Sequence, residues 1–169
     1  MSEGFHVRRA RTSDVAAIEH LFEPFVQSRI MLGKDRVVLF ETVQEFRVAE
    51  SDAGEIIGCG ALHVVWEDLA EVRTLAVLPE WKGRGVGHAI LLALEEQARE
   101  LGVQRLFCLS FEVDFFGRHG FVEIGDDLIP AEVYAEIVRS PDEGIAEMLE
   151  LARVKPNTLG NTRMLKTLG

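Results

Sequence analysis

Residues 71–101, EVRTLAVLPEWKGRGVGHAILLALEEQAREL, constrain the fold more than any other stretch of the chain. Glu71 to Val77 begins with polar and apolar residues alternating and ends on Leu75-Ala76-Val77, the pattern of a half-buried strand entering a core. Pro79 stops that strand, because proline brings no N–H to a ladder. Lys82-Gly83-Arg84-Gly85-Val86-Gly87 follows, with glycine at every second position. From there Val86, Ile90, Ala93, Leu94, Ala98 and Leu101 recur at helical spacing on one face. Glu95, Glu96, Arg99 and Glu100 fall outside that stripe, Glu95 and Arg99 as an i,i+4 pair. Gly102 ends the helix, where a residue with positive φ is wanted.

A strand, a glycine loop and a helix in that order make an anion site. Glycine lets the backbone come close, and N–H groups converge on a phosphate at the positive end of the helix. The spacing narrows the choice of ligand. A dinucleotide fingerprint would need a third glycine where His88 stands, and a nucleoside-triphosphate loop would need Gly-Lys-Ser/Thr at its end. What remains is a basic-x-x-Gly-x-Gly pattern carried by Lys82, Gly85 and Gly87, with Gly83, Arg84 and Val86 completing the loop.

Composition excludes several other functions. With 169 residues, 47% of them hydrophobic, the chain can bury one good core, and a single domain over 1–169 is expected. A net charge of −10 argues against nucleic acid and anionic membrane surfaces. No apolar run approaches the roughly 18 residues of a spanning helix, and the N-terminus does not read as a signal peptide. Cys59 and Cys108 lie in apolar stretches without a Cys-x-x-Cys, which reads as reduced core thiols in a cytoplasmic protein. None of the five histidines has metal spacing, so no metal is expected.

The remaining elements follow in order. Phe5–Ala10 reads as an edge strand. Thr12-Ser13-Asp14 offers a cap to a helix whose stripe is Val15, Ile18, Leu21, Phe22 and Phe25. Residues 29–36 form a basic loop, and Val37–Val43 a short helix anchored by Leu39 and Phe40. Glu45–Glu50 and Glu55–Trp66 read as an antiparallel pair, with Gly58 and Gly60 marking a bend or a close backbone approach. Gln104–Ser110 is a buried strand parallel to Glu71–Val77, since a helix crosses between them. A short helix over Glu112–His119, a strand over Gly120–Ile124, an acidic and partly helical Ile129–Leu151, a loop over 155–161 and a strand over Arg163–Leu168 complete the chain.

The glycine loop resembles the acetyl-CoA-binding motif of the GNAT superfamily of N-acetyltransferases, with Lys82 in place of the usual Arg or Gln. Phe115-Phe116-Gly117-Arg118-His119-Gly120-Phe121 resembles that superfamily's Phe-Tyr-x-x-x-Gly-Phe, at the expected distance. The resemblance implies an α/β (α+β) GNAT fold: a mixed, mostly antiparallel sheet with a splayed parallel strand pair and flanking helices. The gap between the splayed strands would take the pantetheine arm of acetyl-CoA against the backbone of Leu75, Ala76 and Val77. The whole chain further resembles short-form amino-acid N-acetyltransferases of the N-acetylglutamate synthase type. The carrying stretches are ARTSDVAAIEHL, EVRTLAVLPEWKGRGVG, RLFCLS, FFGRHGFVEI and KPNTLGNTRML.

That resemblance implies an acetyl transfer to the α-amine of glutamate or glutamine, at the entry to arginine synthesis. It points to Lys34, Arg36, Arg73, Asn161 and Arg163 as the grip on the acceptor's carboxylates, a task that suits arginine's bidentate fork. It places Glu71 as general base and the Val77 N–H as oxyanion donor. The tyrosine that usually assists thiolate departure is replaced by Phe116, which has no proton to give, so Ser110 or a water would take that role. The chain's one tyrosine, Tyr134, lies outside the motif. Two alternatives stay open: another acceptor amine, such as a protein N-terminus, a polyamine or an antibiotic, and a non-catalytic acyl-CoA-binding module. The sequence is compatible with a homodimer and does not fix the oligomeric state.

Overall fold

The computed structural model describes residues 4–28, 35–124, 135–137, 139–142 and 162–169. Lys34, Tyr134, Asn161 and the loop expected over 155–161 lie outside these residues. The described strands form one seven-stranded sheet. They are β1 (Phe5–Arg9), β2 (Phe46–Ser51), β3 (Ile56–Trp66), β4 (Leu69–Val77), β5 (Arg105–Ser110), β6 (Val122–Glu123) and β7 (Thr162–Thr167), in the order β1-β2-β3-β4-β5-β7-β6. The helices are α1 (Val15–Gln27), α2 (Arg36–Glu41), α3 (Val86–Leu101) and α4 (Val113–Arg118). The chain divides into two compact units that interleave along the sequence, Met1–His63 with Val72–Leu101 and Val64–Glu71 with Gly102–Gly169.

In the first unit β1 pairs antiparallel with β2, and β2 with β3 across a bulge at Ala49/Glu50. Alternate residues of β3 point to opposite faces. Cys59 and Ala61, with Phe46, Val48 and Ala76, pack against Val15, Ile18, Leu21 and Phe22 of α1 and Leu39 of α2. Burying each of these larger side chains is worth about 1.5–3 kcal/mol. Gly58 and Gly60 face the other way, toward α3. A Cβ at Gly58 would lie 2.9 Å from both Ile90 Cδ1 and Val86 Cγ1, and one at Gly60 would lie 2.8 Å from Ile90 Cγ2. The close approach expected at these glycines is that of a helix resting on the strand.

Four local expectations need correction. Thr12–Asp14 is a 3₁₀ turn, and the Asp14 carboxylate faces backward instead of capping α1. It accepts the Arg11 N–H at 2.7 Å and two Arg8 guanidinium bonds at 2.8 and 3.0 Å, and Arg8 Nε also donates to Glu50 at 2.6 Å. The Arg8 guanidinium holds both carboxyls below the ordinary carboxylate range. Next, α2 starts at Arg36 and ends at Glu41, so of the two expected anchors Leu39 is buried while Phe40 is 45% exposed. On α3 the buried arc is wider than the predicted stripe: Leu91 and Glu95 lie within it, and Arg99 meets Glu96 at 4.0 Å. Finally, Leu101, on the last turn before Gly102 (φ 86°), is exposed.

In the second unit the parallel register runs Leu69↔Arg105, Ala70↔Leu106, Glu71↔Phe107 and ends there, three residues into a nine-residue strand. β7 lies antiparallel between β5 and β6. Leu69, Phe107 and Ile137 form the core with Trp66, Leu109 and Leu165 around them. Arg105 pairs with Asp68 at 3.0 Å. The strand expected over Gly120–Ile124 contracts to Val122–Glu123 because Gly120, at φ 90°, belongs to the turn after α4. Among the described residues no helix is long and apolar enough to cross a membrane.

Candidate active site

In the first unit, β4 leads through a 3₁₀ turn at Pro79–Trp81 into the glycine loop. Gly83 and Gly85 adopt φ 77° and 84°, a region costly to any residue with a Cβ, and nothing lies within 4 Å of where such a Cβ would stand. The first helical hydrogen bond of α3 runs from Ala89 N–H to Gly85 C=O at 3.0 Å. The helix itself therefore offers no acceptor to the N–H groups of its first turn. Lys82, Gly83, Arg84 and Gly85 are all exposed. The Arg84 guanidinium lies 4.2 Å from the ring centre of buried Trp81, and Lys82 Nζ lies 5.6 Å from that of Phe25. Both cations are thus held beside the turn by aromatic faces. Open glycines, first-turn N–H groups without a helical acceptor and two flanking cations fit the pyrophosphate of a coenzyme. Leu75, Ala76 and Val77 end the strand before this loop, with Ala76 buried and the other two partly exposed.

The second unit holds Glu71, 5% exposed at the end of the parallel register. Burial pushes the Cys108 thiol up, and the Glu71 charge adds to that shift. Ser110 closes β5, its hydroxyl accepting the Glu112 N–H at 2.8 Å ahead of α4. Arg163 is opposite Leu109 on the paired strand, one register step from Ser110. Phe116 is 5% exposed, edge-on to Phe115 and Phe121 at 5.2 and 5.1 Å. Of the remaining acceptor candidates, Arg36 is exposed and bonded to Glu19 at 2.7 Å, and Arg73 is partly buried on β4.

One residue escapes the sequence reading. Thr74 has φ 51°, alone among the described non-glycine residues in having a positive φ, and its buried Oγ1 has no hydrogen-bond partner among them. Its carbonyl accepts from the Cys59 thiol at 3.4 Å. Burial pushes that thiol up to about 12, so it remains a donor at neutral pH. A strained residue of this kind costs about 1–3 kcal/mol, and a buried unsatisfied hydroxyl about as much again. Threonine in a strand pattern gives no sign of either.

Residues 15–121, which carry α1, the glycine loop and the aromatic turn, match the acetyltransferase (GNAT) family. The chain belongs to the GNAT acetyltransferase family. As a GNAT enzyme it takes its acetyl group from acetyl-CoA, and among the described residues no group of three or more His, Cys, Asp or Glu could hold a metal. An amino-acid acetyltransferase of Mycobacterium tuberculosis is 54% identical over 164 residues, 96% of this chain and 94% of that protein. A Mycobacterium tuberculosis crystal structure in complex with CoA matches this GNAT chain with a TM-score of 0.88 and 53% identity, over 97% of this chain and 99% of that one. N-acetylglutamate synthase of Neisseria gonorrhoeae, solved with coenzyme A and N-acetyl-glutamate, matches with a TM-score of 0.78 and 25% identity. That match covers 100% of this chain but 36% of the synthase.

Proposed function

We propose that this GNAT enzyme transfers the acetyl group of acetyl-CoA to the α-amine of L-glutamate or L-glutamine in the cytoplasm, as the first step of arginine biosynthesis. The observation that carries this reading is the 54% identity, over nearly the whole of both chains, to an amino-acid acetyltransferase. The match to a synthase solved with its acetylated amino acid and coenzyme A supports it.

In this reading the loop Lys82–Gly87, exposed over Lys82–Gly85, holds the coenzyme's pyrophosphate, and the backbone of Leu75–Val77 its pantetheine arm. The acceptor's α-amine is mostly protonated at neutral pH and must lose a proton before it can attack. Glu71 takes that proton, directly or through a water. The amine forms a bond to the thioester carbon, and the Val77 N–H donates to the oxyanion that develops. The C–S bond then breaks. The nitrogen sheds its second proton, and the departing thiolate takes one up by way of the Ser110 hydroxyl or of a water. The Ser110 oxygen accepts the Glu112 N–H, and the hydroxyl is re-protonated as it gives its proton to sulfur. Lys34, Arg36, Arg73, Asn161 and Arg163 are the candidates for the acceptor's carboxylates; Arg36 would have to leave Glu19 to serve.

Thiol release from acetyl-CoA across the twenty amino acids, polyamines and peptides tests this function. Turnover confined to glutamate or glutamine supports it; turnover on cationic amines, or none, refutes it. Glu71→Gln should lower kcat by about 10²–10⁴-fold with acetyl-CoA binding retained. Full activity in that variant would remove Glu71 from the role of base.

A further inference from the structure

We infer that the guanidiniums of Arg9 and Arg47 bind a doubly charged oxyanion of the phosphate class, at a site separate from the glycine loop. The two arginines stand directly opposite each other in the register of β1 and β2. Such neighbours lie about 4.5–5.5 Å apart at their Cβ atoms, and like charges there repel. Phe46 and Val48 pack toward α1, so alternation along β2 turns Arg47 to the face that α3 covers. Gly60, its partner on β3, leaves room on that face for Ile90 and Leu94 of α3. Glu100, on the last turn of α3, acts on the Arg47 charge, which puts the arginine pair near that end of the helix. The glycine loop enters α3 at Val86, about 20 Å away along the helix axis.

Arg47 is 9% exposed, yet among the described residues no carboxylate lies within ion-pair distance of it or of Arg9. Of its five N–H donors, one at Nη1 reaches the Phe46 carbonyl at 3.4 Å, and that carbonyl already accepts the Ala10 N–H at 3.1 Å. Burial lowers the Arg47 guanidinium from its ordinary value, and the Arg9 charge adds to that shift. It stays cationic at neutral pH all the same. Arg8, one residue before Arg9, shows what the chain does elsewhere: Asp14 and Glu50 both take its guanidinium. With 28 acidic residues to 18 basic ones, carboxylates are not scarce. Methionine would fill the space of the Arg47 stem without a desolvated charge. Two opposed cations, one of them buried, with no carboxylate on either point to an anion from outside the chain. A phosphate-class dianion balances both charges, and its oxygens match the guanidinium fork bidentately.

Inorganic phosphate is the probe, added to protein saturated with coenzyme A so that the glycine loop is already occupied. With ionic strength held constant by chloride, the melting temperature should rise by about 3–5 °C at phosphate about tenfold above its dissociation constant. Arg47→Met should abolish that rise and, without phosphate, melt at or above the parent temperature. Arg9→Ala, at the surface, should weaken phosphate binding by about fivefold or more, and it decides alone should Arg47→Met fail to fold. A rise of parent size in both variants would mean an adventitious ion only and would overturn the site. So would a parent indifferent to phosphate; an Arg47→Met protein that then melts lower would leave Arg47 as a partner for the end of α3. None of these results depends on which amine the enzyme acetylates.

Discussion

The chain carries two glycine-punctuated turns that dispose of their backbone polar groups in opposite ways. At 82–87, Gly83 and Gly85 hold positive φ, the turn faces solvent, and α3 leaves its first N–H groups without a helical acceptor. At 115–121, Gly120 also has positive φ, at 90°, but the turn closes on itself. The Phe116 carbonyl accepts the N–H groups of His119 and Phe121 at 3.0 and 3.1 Å, and the Phe116 ring meets those of Phe115 and Phe121. The same residue type in the same region of φ thus exposes donors in one turn and completes packing in the other. What separates a binding loop from a structural one is the destination of its N–H groups.

Removing a large buried ring is the strongest way to break that comparison. Phe116→Ala should cost about 3–5 kcal/mol of stability, read by denaturant unfolding, and leave the acetyl-CoA KM of the folded protein within about twofold. A shifted KM with intact stability would instead place Phe116 in contact with the coenzyme. Gly85→Val should do the reverse. It forces a β-branched side chain into positive φ at the start of α3, raising the acetyl-CoA KM by about tenfold or more for roughly 1–2 kcal/mol of stability. Arg84→Ala is the finest probe. Losing the guanidinium stacked on Trp81 should raise the acetyl-CoA KM by about two- to fivefold, the equivalent of about 0.5–1 kcal/mol, with the melting temperature nearly constant.

Both motifs are legible in the sequence because glycine spacing and aromatic spacing are local signals. The stripe Val86, Ile90, Leu94 and Ala98 is legible for the same reason, and so is the narrow space at Gly58 and Gly60. Misplaced residues are those decided by contacts made outside their own element. Asp14 turns from the cap to Arg8 because a guanidinium reaches it from β1. Glu95 is buried because α3 presents a wider arc to the protein than one stripe. Thr74 is the extreme case. A β-branched residue within a strand pattern predicts extended backbone, and only the surrounding fold can force it to positive φ. The acceptor side was less legible still, since cationic residues are spread along the chain and nothing local distinguishes a ligand from a surface charge.

The two β3 glycines also decide where the glycine-loop end of α3 lies. Val86, the first residue of that helix, directly follows Gly85 and rests in the space left at Gly58. The depth at which the helix starts, and so the position of its first-turn N–H groups, is fixed by side chains that are not there. A single methyl group at Gly58, on a strand that need never meet the coenzyme, would lift the start of α3 and with it the loop. Affinity for acetyl-CoA is in this sense written partly in absent volume, about 25 residues upstream of the loop proposed to do the binding.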